Sequence, residues 1–156
     1  MSFRIRGLDP APFRSLYGLP DDALRLAGAT RVLAEARPGY PDRVELVDVA
    51  VGEPLLLLNY LHQPGPGPYR ASHAIFVREG AETAFDAIDR VPEVFRPRML
   101  SVRAFDASHG MRAAALVDGK TVEGTLAELL GDPAHAYLQV HYAVRGCYAA
   151  RVERAP

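Results

Sequence analysis

The chain has 156 residues, a formal net charge of −1, 49% hydrophobic and 24% charged residues. That length suits one domain burying roughly two-thirds of its unfolded surface, and the composition is too apolar and too balanced in charge for disorder. No basic stripe is present, which argues against nucleic acid as a partner. The longest aliphatic run, Leu55 to Leu58, falls far short of the roughly 20 residues of a membrane helix, so no membrane partner is expected either.

The elements follow in chain order. Asp9-Pro10 reads as the start of a short helix carrying Phe13, Leu16 and Tyr17. A second helix begins near Pro20-Asp21-Asp22 and stops at Gly28. A strand over 30–36 and the turn Pro38-Gly39-Tyr40-Pro41 come next, then a strand over 43–51 broken by Gly52-Glu53-Pro54. Leu55 to His62 is a strongly apolar strand and Ser72 to Arg78 its natural hairpin partner. The loop between them holds Pro64, Pro66 and Pro68, which restrict its backbone. Residues 81–96 favour a helix with Phe85, Ile88, Val91 and Val94 or Phe95 on one side. Strands are expected over 99–106 and 111–117, and a helix over 121–130 with Val122, Leu126, Leu129 and Leu130 apolar. Two closing strands cover 136–144 and 147–153, around Arg145-Gly146. About seven strands and three or four short helices, with hairpin-length connections, predict one α+β domain over 1–156 with a mainly antiparallel sheet.

The residues also carry a family resemblance. The run LLLLNYLHQPGPGPYRASHAIFVRE, with MSFRIRGL, RPGYPDRV, LSVRAFDA and RGCYAARV, resembles the signature of an uncharacterised bacterial family, domain-of-unknown-function family 1203. The resemblance spans essentially the whole chain. It implies a stand-alone bacterial protein and no particular activity. In that family the position of Asp42 is often a cysteine, so Asp42 departs from the pattern and speaks against a two-cysteine site here.

The N-terminus lacks the apolar stretch of a secretory signal, and the single cysteine, Cys147, excludes an intrachain disulfide. A cytoplasmic location is the expectation. Lys120 is the sole lysine among 18 lysines and arginines. That bias fits a GC-rich genome as well as it fits a demand for planar donors, so individual arginines have to be argued from position.

Chemistry concentrates at the mouth of the 55–78 hairpin. Tyr69, Arg70, Ser72 and His73 follow the Pro/Gly loop, with His62 before it and Arg78 beyond. Arg70, His73 and nearby backbone N–H groups could hold a carboxylate or phosphate; equally, Arg70 could cap loop carbonyls and Arg78 pair with Glu79 on the surface. Whether His62 and His73 share a face depends on hairpin register. His141 lies mid-strand on a face with Tyr137 and Gln139, opposite the core-like face of Leu138, Val140, Tyr142 and Val144. Cys147, close to Arg145 and His141, could be a reactive thiol or a small packed residue. His62, His73 and His141 could in principle bind a metal, but no ligand spacing marks such a site and none is assigned. Ser72, His73 and Asp106 supply triad residue types, yet adjacent strand residues point to opposite faces. Asp118-Gly119-Lys120-Thr121 resembles the end of a P-loop, but Ala114 stands where the first glycine belongs.

Two functions are carried forward. One is a binding protein or enzyme for a small anionic molecule with a pocket at the hairpin mouth. Its catalytic candidates are His73, His141 and Cys147, and its ligand-binding candidates are Arg70, Tyr69, Ser72, His62 and Arg78. No cofactor is indicated. The other is a non-catalytic interaction or oligomerisation module using an exposed strand edge, which leaves a homo-oligomer open.

Overall fold

A computed structural model describes all of residues 1–156. Its frame is two antiparallel sheets. The larger has six strands in the order β5-β1-β9-β8-β6-β7, built from β1 (Phe3–Arg6), β5 (Asp86–Ile88), β6 (Met99–Phe105), β7 (Met111–Asp118), β8 (Tyr137–Tyr142) and β9 (Tyr148–Arg154). The smaller has the order β2-β3-β4, with β2 (Ala29–Leu33), β3 (Pro54–Gln63) and β4 (Ala71–Arg78). Helices α1 (Ala11–Arg14) and α2 (Asp21–Leu26) lie before β2, and α3 (Val122–Gly131) lies between β7 and β8. The α+β class and the antiparallel pairing expected from the sequence are both present.

Helix α3 explains the main core. Val122, Leu126 and Leu130 recur every fourth residue, so they share one face, and all three are fully buried. They pack with Leu100, Val102, Leu138, Val140 and Val152 of the large sheet. Burying each leucine contributes roughly 2 kcal/mol. The small sheet covers the opposite side of β8. All six residues of β8 are consequently buried: Leu138, Val140 and Tyr142 in the α3 core, and Tyr137, Gln139 and His141 between the sheets. Val144, grouped with the core face in the sequence, lies beyond the strand and is 91% exposed.

Two expectations are corrected. Residues 81–96 form no helix; they contain β5 and a single 3-10 turn at Glu93–Phe95. Asp86 is drawn into an ion pair with Arg4 on β1, and Val91, Val94 and Phe95 enter the core from irregular backbone. Residues 43–51 form no strand either. The Asp42 carboxylate accepts the backbone N–H groups of Val44 and Glu45, which are therefore not offered to a ladder, and Leu46 turns to φ +53. The bridge Pro41↔Asp48 closes the segment on itself, and the bridge Asp42↔Phe76, the Arg78 N–H given to Asp42 and the Arg43 side chain on the Tyr148 carbonyl tie it to the sheets. β1, a four-residue strand with Phe3 and Ile5 inward, carries no expectation from the sequence, being too short to show periodicity.

The 55–78 hairpin forms as expected, with Tyr60 opposite His73 and an irregularity before Gln63↔Ala71. Tyr60 and His62 both reach Tyr148 of β9, at 5.9 and 5.4 Å between ring centres. Past them the bulge lets Gln63, the residue next to His62, face the large sheet as well. His73, paired across from Tyr60, is on the same side.

Candidate functional site

The seam between the sheets is polar and tightly paired. His62 Nδ1 donates to Gln139 Oε1 at 2.9 Å, and Gln139 Nε2 donates back to the His62 carbonyl at 2.9 Å. His141 Nε2 lies 3.1 Å from the same Oε1, and its Nδ1 donates to the Gly146 carbonyl at 3.0 Å. The two imidazoles meet edge to face at 5.0 Å, and His62 stacks on Tyr148. Burial first, then the Arg103 charge, hold the His141 pKa down at about 3, against the upward pull of the Gly146 carbonyl. Burial also lowers that of His62, although its hydrogen bond to Gln139 opposes the shift.

The hairpin mouth itself is closed by packing. Gln63 Nε2 donates to the Tyr137 hydroxyl at 2.8 Å, which also meets His109 Nδ1 at 2.7 Å. Gly65 sits against the His109 ring so closely that a Cβ there would overlap it. Arg70 donates to the Pro64 carbonyl within the loop. Tyr69 and Ser72 are exposed on the outer side, and Arg78 pairs with Glu45 at 2.6 Å; Glu79 pairs with Arg31 instead. The open space lies elsewhere than expected, along β4.

A cavity of about 720 Å³ lies between the 39–43 segment, β4 from His73 to Phe76, the Pro97–Met99 approach to β6, and the turn from Tyr142 to Cys147. Three arginines line it, Arg43, Arg98 and Arg145, and no carboxylate does. Arg43 is only 1% exposed. It donates to the carbonyls of Tyr148 at 2.7 Å and Pro41 at 2.5 Å, and its Nη2 points to Cys147 Sγ at 3.2 Å. Arg98 is neutralised by Asp48, with contacts of 2.6 and 2.9 Å. Both guanidiniums lie over the Tyr142 ring, at 4.9 and 5.1 Å. Arg145 is exposed and has neither a hydrogen bond nor an ion pair. The Tyr142 hydroxyl is buried with no hydrogen-bond partner, alone among the side chains. Burial pushes its pKa up to about 12, while Arg43 and Arg98 pull the other way.

Of the sequence candidates, His73 and Cys147 line this cavity, and His62 and His141 form the seam behind it. His73 Nδ1 donates to the Ala74 carbonyl at 3.0 Å, which leaves Nε2 as its free nitrogen. Sequence reasoning missed Arg43, Arg98 and Tyr142 as site residues. Arg43 had no local signal apart from the family run RPGYPDRV, because one arginine among so many looks like any other. No group of three or more His, Cys, Asp or Glu side chains is placed to hold a metal ion. No helix is long and apolar enough to cross a membrane.

Fold and site together define an α+β protein of two antiparallel sheets with an arginine-lined cavity at their junction. Residues 39–154 match the model of the family described as protein of unknown function (DUF1203), and the chain belongs to that family. No curated protein and no solved structure matches it.

Proposed function

We propose that the protein binds a small organic anion, a carboxylate or phosphate ester with an apolar body, in the cavity along β4. One observation carries this reading: of the three guanidiniums on the wall only Arg98 is paired with a carboxylate, Asp48, and beside them lies a buried Tyr142 hydroxyl that no protein atom satisfies. A buried donor without a partner is destabilising by about 1–3 kcal/mol, so proteins rarely retain one that nothing ever occupies. Arginine forks match carboxylate and phosphate oxygens. Nine of the sixteen lining residues are hydrophobic, which fits a ligand with an apolar portion better than a bare inorganic ion. His73 and Cys147 are the groups on the wall able to act chemically on such a ligand. A cytoplasmic setting, where the lone thiol stays reduced, belongs to the same reading.

The test uses phenyl phosphate, with phenol as the uncharged control, read by thermal unfolding and calorimetry. Phenyl phosphate is expected to bind and stabilise, less so at high salt, and phenol to do neither. Tyr142→Phe removes a hydroxyl that holds nothing in the protein. It should leave stability unchanged or raise it by about 1 kcal/mol while weakening phenyl phosphate binding about tenfold. Unaltered binding by Tyr142→Phe, or no binding by the parent protein at millimolar ligand, would overturn the assignment.

A further inference from the structure

Building on the anion-binding reading, we infer that Cys147 is a thiol-exchange site that forms a mixed disulfide with an anionic low-molecular-weight disulfide held in the same cavity. Arg43 supplies the first argument. Its guanidinium is buried among two carbonyl oxygens and one sulfur, and no carboxylate pairs with it. Of those three partners only Cys147 Sγ can take on a full negative charge, and a thiolate there would compensate the buried cation. The unsatisfied Tyr142 hydroxyl in the same wall is independent of the cysteine and indicates an occupant with oxygen acceptors. Position is the third: Cys147 is partly exposed at the cavity wall, so the sulfur is reachable.

The step balances without any further reagent. The Cys147 thiolate attacks one sulfur of the small disulfide, forming the Cys147–sulfur bond. The original sulfur–sulfur bond breaks and the second half leaves as a thiolate, which takes a proton from water or from His73 on the same wall. Cys147 is oxidised and the leaving half is reduced. Arg145, exposed and unpaired, is positioned to attract the charged groups of the incoming molecule rather than to act on its sulfur.

The experiment compares oxidised glutathione with the uncharged bis(2-hydroxyethyl) disulfide on the reduced full chain, following the adduct by intact-mass spectrometry and mapping it to Cys147. Phenyl phosphate binding by the same reduced protein is measured alongside. At low salt the anionic disulfide is expected to react about tenfold faster than the neutral one. Arg145→Ala or added salt should close most of that gap, and phenyl phosphate should slow the reaction by competition. Equal rates for the two disulfides, or no adduct on the folded protein while the urea-unfolded chain reacts, would overturn the thiol proposal. If phenyl phosphate still binds in that case, the cavity reading stands and only the exchange chemistry falls. If it does not bind either, both fall.

Discussion

His141 shows how a residue's surroundings decide its chemistry. It is fully buried, and it is faced by His62 from β3, His73 from β4, Arg103 from β6 and the Gly146 carbonyl from the turn before β9. Its pKa falls from the ordinary 6.5 to about 3, so between those values the unfolded chain binds a proton that the folded one refuses. The stability tied to this group is whole above about pH 6.5 and drains away as the pH falls towards 3, at roughly 1.4 kcal/mol per pH unit. Denaturation midpoints measured between pH 6.5 and 5 should therefore slope more steeply for the parent protein than for His141→Gln. Equal slopes would mean that His141 stays charged in the fold. A neutral, buried imidazole whose Nδ1–H is held by the Gly146 carbonyl is a poor proton carrier, so within the proposed function His73, whose Nε2 is free, is the better candidate. The sequence shows that a histidine lies mid-strand; it cannot show that burial keeps the ring neutral with its one N–H held by the Gly146 carbonyl.

At the scale of elements, the segment from Tyr40 to Asp48 does the work a strand would have done. Asp42 is fully buried and accepts three backbone N–H groups, from Val44 and Glu45 of its own turn and from Arg78 at the end of β4. Burial pushes its pKa up, while those three donors pull it down. One carboxylate thus pins the 41–48 loop to the edge of the small sheet and holds Arg43 beside the cavity. Asp42→Ala leaves three donors without their acceptor and is expected to destabilise the protein by about 3 kcal/mol or more, read by chemical denaturation. Phenyl phosphate affinity should fall as well, because Arg43 loses its support. A loss below 1 kcal/mol would show that water replaces the carboxylate. The sequence reads a strand over 43–51; Val44, Leu46 and Val49 are buried there, but on irregular backbone. The stretch 81–96 misled in the same way. Phe85, Val91, Val94 and Phe95 do face the core while Ile88 is exposed; β5 is captured by β1 and Pro92 closes off a continuing helix.

Over the whole molecule, the decisive event is the docking of the small sheet on β8. Gln139 is the hinge pin of that contact, engaging His62 twice and lying against the His141 ring. Gln139→Leu keeps much of the volume but leaves the His62 Nδ1 and carbonyl unpaired. It should lower stability by about 3 kcal/mol with little change in far-ultraviolet circular dichroism, since each sheet survives and only their junction weakens. A near-neutral effect would mean that the seam is held by its aromatic stacking alone. The cavity is a by-product of this docking: its wall is assembled from the 39–43 loop, β4, the start of β6 and the turn after β8, four stretches far apart in the chain.

The division between chain and fold follows from range. Local pattern determined the antiparallel hairpins, α3 and its buried face, and the α+β class, because alternation, turn residues and fourfold spacing act between near neighbours. The same local pattern marked His73 and Cys147 as chemically able residues. Only the tertiary structure decided that Arg70 and Arg78 are occupied within the hairpin and its border, that His62 and His141 lock a seam, and that Arg43, Arg98 and Tyr142 meet Cys147. Those meetings depend on how two sheets register against each other, and that register is set by long-range burial and pairing rather than by any property of the residues in their own segments.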